Sequence, residues 1–166
     1  SVDSHKDLPI VEKERPDVEH TELVPFRSAI AAGVGTIMTA HVLFPAYDED
    51  RPATLSPRII DGVLRRQLGY NGVVISDDME MKAVHGRYPI GEQVRRATRA
   101  TVDILLCCKD PNLQYEAYRE LVKAQEERLR QAHELSREQG KEALRHAEQL
   151  EVVLSKRLDH VESLAG

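Results

Sequence analysis

The chain has 166 residues, of which 31% are charged and 41% hydrophobic, a composition typical of one soluble globular domain. Its 23 Lys and Arg residues against 28 Asp and Glu residues give a formal charge of -5, and the absence of a long basic run argues against nucleic-acid binding. No apolar stretch approaches the roughly 20 residues that a membrane helix needs, so we expect no membrane partner.

The first predicted elements are a helix and a strand. Residues 21–32 place apolar side chains at helical spacing on one face, and Gly33 is typical of the position that follows a helix. Residues 34–40 (VGTIMTA) are a short apolar run with β-branched side chains. This run predicts the first β-strand.

Two further helix and strand pairs follow. A second helix is predicted from Ser56, a residue favoured at helix N-termini, to Gly69, and it precedes a strand at residues 73–76 (VVIS). A third, more polar helix over residues 91–100 precedes a strand at residues 102–107 (VDILLC). None of the three strands alternates cleanly with polar residues, so we expect strands that are buried on both faces.

The alternation of helices with buried strands predicts the α/β class with a parallel sheet. A (β/α)8 TIM barrel of roughly 250 residues spends about 31 residues on each unit, and the strand starts Val34, Val73 and Val102 are 39 and 29 residues apart. Residues 1–110 therefore correspond to three units and the end of a fourth. Because three parallel strands have two open edges and cannot close, we expect a partial barrel.

Residues 111–166 differ in character from the rest of the chain and are predicted to be a helical C-terminal extension. Their pattern indicates two helices, at about 112–138 and 141–160, whose narrow apolar faces pack on the outside of the α/β part. A short coiled coil is the competing interpretation. The mixed charges of this segment indicate a solvated surface.

Polar residues that follow the strands are the candidates for chemistry, because ligands of parallel sheets collect at the carboxyl ends of the strands. They are His41 after the first strand, Asp77 and Asp78 after the second, and Lys109 and Asp110 after the third. The paired aspartates give the sharpest signal, since a carboxylate at a strand end is costly to desolvate without a partner or a task. The alternative is that one of them caps the next helix, and both interpretations hold if one aspartate serves each purpose.

Near the start of the chain, Asp3 lies two residues from His5. Such a carboxylate can orient an imidazole and raise its basicity, which suits a histidine that must give and take a proton. Spacing alone favours the alternative, a solvated terminal loop.

The remaining histidines and the cysteines indicate no bound group. The histidines have no metal-ligand spacing, so we expect no metal and no cofactor. Cys107 and Cys108 are adjacent, which fits neither a disulfide framework nor a CxxC site. A reducing compartment and a start without a signal-peptide core predict a cytoplasmic location.

Five ordered motifs carry a resemblance to a known family. They are DSHKDLP at residues 3–9, ELVPF at 22–26, MTAH at 38–41, PATLS at 52–56 and GVVISDD at 72–78. Together they resemble glycoside hydrolase family 3, in its bacterial β-N-acetylglucosaminidase (β-hexosaminidase) branch, over a stretch from Asp3 to about Leu106. The resemblance implies the C-terminal portion of a (β/α)8 barrel, because the family's sequence that precedes the DSH loop has no counterpart here.

The resemblance also implies an activity. It is that of a retaining exo-glycosidase that removes terminal, non-reducing β-linked N-acetylglucosamine from cell-wall fragments during peptidoglycan recycling. Asp77 matches the family's catalytic nucleophile, His5 its general acid/base and Asp3 the carboxylate partner of that histidine. The expected substrate is a carbohydrate such as a muropeptide fragment, and substrate-binding residues are expected mostly in the missing N-terminal half.

Two other functions compete with this one. The chain could be a non-catalytic half-barrel that requires an N-terminal partner, as its open sheet edge suggests. It could also belong to a β-glucosidase-type enzyme of the same family, although the DSH motif favours the N-acetylglucosaminidase branch.

Overall fold

The structure is a computed structural model that describes the backbone of residues 7–165 and the side chains of residues 7–142 and 145. It divides into two units, Ser1–Ala124 and Gln125–Gly166. Among the described residues, no helix is both long enough and apolar enough to cross a lipid bilayer.

A three-stranded parallel sheet forms the centre of the first unit. Its strands are β1 (Thr36–Met38), β2 (Val73–Asp78) and β3 (Ile104–Leu106), in the order β1-β2-β3. All three predicted strands are therefore present, and β2 extends two residues further than its apolar run. Helices lie between consecutive strands along the chain, which confirms the α/β class with a parallel sheet.

The helices between residues 15 and 99 are short, and the sequence does not predict three of them. In chain order they are α1 (Arg15–His20), α2 (Leu23–Ala31), a 3₁₀-helix (Ala53–Leu55), a π-helix (Arg58–Gln67), α3 (Lys82–His85) and α4 (Ile90–Arg99). The predicted helices correspond to α2, the π-helix and α4. The three that are not predicted, α1, the 3₁₀-helix and α3, have six, three and four residues, which is too short for a helical pattern to stand out in the sequence.

Glycine ends two of these helices as the sequence predicts. Gly33 and Gly69 have φ values of +78° and +71°, a conformation in which glycine has no steric penalty. Between them, the helix that follows Ser56 has hydrogen bonds between residues five positions apart, such as that from the Leu68 N–H to the Val63 carbonyl. Helical spacing predicts that a helix is present here, whereas its wider turn depends on packing.

The prediction that the strands are buried on both faces is wrong. On one face, Ile37 and Val74 pack into the core with the helices. On the other face, Met38, Val73 and Ile104 are 53%, 38% and 45% exposed. Side chains alternate along a strand, and in this structure the core helices cover only the first of these faces.

A cluster of hydrogen bonds fixes the amino ends of the strands. The carboxylate of Asp103 accepts hydrogen bonds from the Val74 N–H at 2.7 Å and from the Arg65 guanidinium at 2.6 Å. The same guanidinium donates to the carbonyls of Gly72 at 2.5 Å and Thr101 at 3.1 Å. One largely buried arginine therefore joins the π-helix to the segments that lead into β2 and β3.

The last helix, α5 (Pro111–Ala165), is continuous where the sequence predicts two helices. Gly140 lies inside it, and a helical glycine costs only about 1 kcal/mol relative to alanine, which does not force a break. The first turns of α5 belong to the first unit. There Ala117 is buried, Leu113 packs against the core, and Glu120 accepts a hydrogen bond from Arg95 at 2.9 Å.

In the second unit, the described side chains are exposed, among them Leu129 and Leu135. The leucines at 150, 154 and 158, which contribute to the predicted apolar face of the second C-terminal helix, lie outside the residues whose side chains the structure describes.

Replacing Arg65 with methionine should lower the free energy of unfolding by about 1–3 kcal/mol, because the carbonyls of Gly72 and Thr101 lose their side-chain donor and the Asp103 carboxylate loses its cationic partner. Arg66→Met is the matched control. Arg66 lies on the same helix, its side chain is 75% exposed against 17% for Arg65, and Asp61 is its one ion-pair partner among the described residues. We expect the control to change stability by less than about 0.5 kcal/mol. Urea denaturation of both variants measures the difference, and equal effects would contradict the role of Arg65.

Candidate active site

Asp77 lies at the carboxyl end of β2, near the end of the central strand of the sheet. Its side chain is half-buried, and the pairing of β2 with β3 shifts register between Ile75 and Asp78, close to this residue. Its Oδ1 accepts a hydrogen bond from the Asp78 N–H at 2.8 Å, the one hydrogen bond that the described residues give to this carboxylate. A half-buried carboxylate with an unused oxygen can still contact a ligand.

Asp78 has different surroundings from its neighbour. Its Oδ1 accepts a hydrogen bond from the Glu80 N–H at 3.1 Å, which stabilises the turn before α3. Its carbonyl accepts a hydrogen bond from His41. The interpretation that one aspartate caps the next helix is wrong, because the residue before α3 is Met81 and no described side chain caps that helix. The Asp78 side chain instead stabilises the turn that precedes it.

His41 is buried completely and uses both ring nitrogens. Nε2 lies 3.0 Å from the Asp78 carbonyl, and Nδ1 lies 3.0 Å from Oγ1 of Thr54. Because a carbonyl can only accept, Nε2 carries the proton and Nδ1 accepts from the Thr54 hydroxyl. The Thr54 oxygen in turn accepts from the hydroxyl of Thr39 at 2.8 Å.

Burial lowers the pKa of His41 below its ordinary value, since a charged imidazole loses its hydration inside the protein. The hydrogen bond to the Asp78 carbonyl and the negative charges of Asp77 and Asp78 oppose this shift without overcoming it. His41 is therefore a neutral donor at neutral pH.

The sequence does not predict the contact that joins the loops after β2 and β3. The Glu80 carboxylate accepts hydrogen bonds from the N–H groups of Lys109 at 2.8 Å and Asp110 at 3.1 Å. The Asp110 carboxylate accepts from the Asn112 N–H at 2.8 Å in the first turn of α5. Of the two predicted residues after β3, Lys109 therefore takes part through its backbone N–H and Asp110 through both its N–H and its carboxylate. No spacing in the sequence pairs Glu80 with residues 29 and 30 positions later.

The thiol at the end of β3 is unsuited to nucleophilic chemistry. Burial, and to a smaller extent the charges of Glu80 and Asp78, raises the pKa of Cys107 to about 11. The thiolate is the reactive form of cysteine, so Cys107 stays protonated near neutral pH. Asp77 is left as the candidate nucleophile among the strand-end residues.

Asp3 and His5, the other two predicted site residues, lie outside the residues that the structure describes. The segment that follows them does contact the candidate site region. Asp7 accepts a hydrogen bond from Arg87, which follows α3, at 3.3 Å. The hydrogen bonds from the Leu8 N–H and from Arg87 lower the pKa of the exposed Asp7 carboxyl.

A backbone pairing also joins this segment to the chain beyond His41. The Leu43 N–H donates to the Pro9 carbonyl, and the Val11 N–H donates to the Leu43 carbonyl, each at 2.9 Å. The segment after His5 is therefore attached both to the residues that follow β1 and to those that follow β2.

An apolar cavity of about 320 Å³ lies between α2, β1 and the π-helix. Asp77 is not among its lining residues, and Glu22 supplies its only carboxylate.

The described part of the chain contains no group of three or more His, Cys, Asp or Glu side chains that could hold a metal ion. The strand ends around Asp77 remain the strongest candidate for chemistry in the described residues.

Comparison with protein families gives one match that covers most of the chain. The model described as "Glycosyl hydrolase family 3 N terminal domain" matches residues 1–137. The match extends about 30 residues past Leu106, where the recognisable motifs end. It confirms the family resemblance that the motifs indicate.

Individual relatives agree with the family match. A curated protein named Beta-hexosaminidase from Thiobacillus denitrificans is 40% identical over 111 residues, which are 67% of this chain and 31% of the relative. A glycoside hydrolase family 3 beta-N-acetylglucosaminidase structure from Paenibacillus sp. str. FPU-7 has a TM-score of 0.73 at 45% identity, covering 74% of this chain and 24% of that one. The beta-N-acetylglucosaminidase from Thermotoga maritima has a TM-score of 0.66 at 38% identity, covering 72% and 27%. This chain spans less than a third of the length of each.

The lowered pKa of His41 predicts how stability depends on pH. Below the ordinary histidine value of about 6.5, the unfolded chain binds a proton that the folded chain excludes. The free energy of unfolding should therefore decrease as pH falls from 6.5 through the pKa of folded His41. His41→Gln, which keeps a donor but cannot titrate, should show a shallower decrease. Urea midpoints between pH 5 and 7.5 measure both slopes, and identical slopes would contradict the prediction.

Proposed function

This chain belongs to glycosyl hydrolase family 3, and from that membership we propose that it is the C-terminal portion of the barrel of a retaining β-N-acetylhexosaminidase. The proposed barrel part is residues 1–110, and residues 111–166 form its helical extension. The proposed substrate carries a terminal, non-reducing β-linked N-acetylglucosamine. The names of the relatives support this substrate over that of a β-glucosidase-type enzyme.

The observation that carries the proposal is the position of Asp77. It lies at the carboxyl end of a parallel strand, where this kind of sheet presents its catalytic groups. Its side chain is half-buried, and one of its oxygens has no hydrogen-bond partner among the described residues. A carboxylate in this position is suited to act as the nucleophile of a retaining glycosidase.

In the proposed mechanism, the Asp77 carboxylate attacks the anomeric carbon of the sugar and forms a covalent glycosyl ester. His5 donates a proton to the glycosidic oxygen as the bond to the aglycone breaks. His5 then takes a proton from water, whose oxygen attacks the anomeric carbon, releases the sugar and regenerates Asp77. The proposed role of Asp3 is that of the carboxylate partner of His5, which favours the protonated form of the imidazole. No cofactor is needed for these steps.

The biological setting is part of the same proposal. The family resemblance supports fragments of the cell wall as substrates and peptidoglycan recycling in the cytoplasm as the process. Muropeptide fragments with an N-acetylglucosamine end have the required β-linked sugar.

An alternative function is that of a non-catalytic half-barrel that associates with an N-terminal partner. Its support is the uncovered sheet face, where Met38, Val73 and Ile104 are exposed. In the described part of the chain, β1 and β3 each pair with β2 alone. Open strand edges beside an apolar face favour association with further strands.

The nucleophile can be tested in a completed enzyme. This chain would replace the matching 111-residue segment of the Thiobacillus denitrificans relative, and hydrolysis of 4-nitrophenyl N-acetyl-β-glucosaminide would be measured. Asp77→Asn should reduce kcat by at least about 10³-fold, because the amide cannot form the glycosyl ester. Asp78→Asn is the matched control, since its amide oxygen can still accept from the Glu80 N–H, and it should keep most of the activity. Full activity of the Asp77 variant would overturn the assignment.

The half-barrel alternative has its own test. This chain would be mixed with the N-terminal remainder of the same relative, expressed separately, and the mixture analysed by size exclusion with light scattering. A 1:1 complex is expected, and Val73→Asp should weaken it because a charge would be buried at the contact. Val24→Asp is the control on an exposed residue of α2. The alternative would be contradicted if this chain stayed a monodisperse monomer and did not bind the added N-terminal remainder.

A further inference from the structure

The pairing of β1 with β2 continues beyond its last backbone hydrogen bond through a side chain. The Thr39 N–H donates to the Ile75 carbonyl at 2.8 Å, which is the last backbone bond between the two segments. Two residues later, Nε2–H of His41 donates to the Asp78 carbonyl at 3.0 Å. An imidazole thus replaces the backbone donor where the two chains separate.

The other side of the same peptide group is bonded to β3. The Met79 N–H donates to the Leu106 carbonyl at 2.9 Å. The Asp78 carbonyl and the Met79 N–H belong to one planar peptide unit, so that unit is fixed by both neighbouring strands. The N–H of Asp78 itself donates to Oδ1 of Asp77. The residue whose carbonyl His41 holds is therefore the residue whose amide orients the Asp77 carboxylate.

We propose that His41 is a positioning residue for Asp77, which it serves by holding the Asp78 carbonyl at the end of β2. This inference rests on the proposed function, in which the Asp77 carboxylate is the nucleophile. It adds a residue that does not contact the sugar and acts through the backbone next to Asp77.

The surroundings of His41 suit this role. Neutral imidazole is a donor at one nitrogen and an acceptor at the other, and here the Asp78 carbonyl and the Thr54 hydroxyl take both. Thr39 completes the chain of hydrogen bonds. His41 and Thr54 are 0% exposed. Every polar atom of a buried network must be satisfied, so the ring has a single favourable orientation and tautomer.

The geometry can be tested on the 166-residue chain. His41→Leu removes the donor to Asp78, whereas His41→Gln can place an amide N–H near the position of Nε2. In the leucine variant, hydrogen exchange at the Met79 amide should accelerate about tenfold, and the glutamine variant should retain most of the protection. Exchange at the Val73 amide, which donates to the Gly35 carbonyl at the other end of the strand pair, is the control and should not change.

A measurement without substitution supports the same test. ¹⁵N NMR of the unaltered chain should show the Nε2–H tautomer of His41. A ring protonated at Nδ1 alone would overturn the proposal, because it could not donate to the Asp78 carbonyl. This measurement tests the hydrogen bond from His41 to the Asp78 carbonyl even if the leucine variant fails to fold.

The effect on catalysis is measured in the completed enzyme described above. His41→Leu should lower kcat by about 10- to 100-fold and leave KM within about twofold, because a misplaced nucleophile slows the chemical step without removing a contact to the substrate. His41→Gln should restore kcat to within about threefold. A purely structural role would instead lower thermal stability in both variants without a selective effect on kcat.

The outcomes separate this inference from the proposed function. Unchanged Met79 exchange in His41→Leu, or an unchanged kcat, overturns the positioning role. Protection of Met79 that returns in His41→Gln without a return of kcat overturns it as well. If the completed enzyme with native His41 does not hydrolyse the substrate while Asp77 and Met79 show the expected geometry, the proposed function fails and the role of His41 in the proposed reaction fails with it.

Discussion

Hydrogen bonds from both sides hold strand β2, and the positions of the candidate catalytic groups depend on that strand. Its backbone pairs in parallel with β1 and β3, but strands of three residues supply few such bonds. Side chains add the rest: the Asp103 carboxylate binds the Val74 N–H at one end, and His41 binds the Asp78 carbonyl at the other. A slip of one residue would move each side chain of β2 to the opposite face of the sheet. The bonds at both ends therefore preserve the side of the sheet on which Asp77 lies.

The same sheet shows how far this chain can bury its own apolar surface. One face is covered by helices, while Met38 and Ile104 on the other face stay about half exposed. Apolar groups that stay in water contribute nothing to the hydrophobic stabilisation of the fold. The chain spans less than a third of the length of its relatives. If it is part of a barrel, as proposed, the remainder of that barrel is the expected cover for this face. The alternative half-barrel rests on this exposed surface, whereas the proposed enzyme rests on the family match and on the position of Asp77.

Sequence patterns predict the parallel sheet and the ends of two helices because these features depend on local chemistry. Apolar runs define the strands, and Gly33 and Gly69 have the positive φ values that their positions at helix ends require. Burial on both faces could not be inferred correctly, since it depends on which other segments are present. The sequence also does not predict that α5 continues through Gly140, because a helical glycine costs only about 1 kcal/mol relative to alanine. Helical spacing likewise does not distinguish a π-helix from an α-helix. The sequence predicts Asp77 as a site residue because it follows an apolar run. It does not predict the contacts of Glu80, because its partners Lys109 and Asp110 come close only in the folded chain.

A polar residue at the end of a strand is a candidate for catalysis, but its position alone does not show whether it reacts or stabilises the fold. His41 and Asp77 were both selected by that rule. Both ring nitrogens of His41 are used inside the protein, so it has no capacity left for a ligand. Asp77 is half-buried, and one of its oxygens has no partner among the described residues. A reacting group needs such unused hydrogen-bonding capacity on an accessible face, whereas a residue that fixes backbone must use its capacity in place.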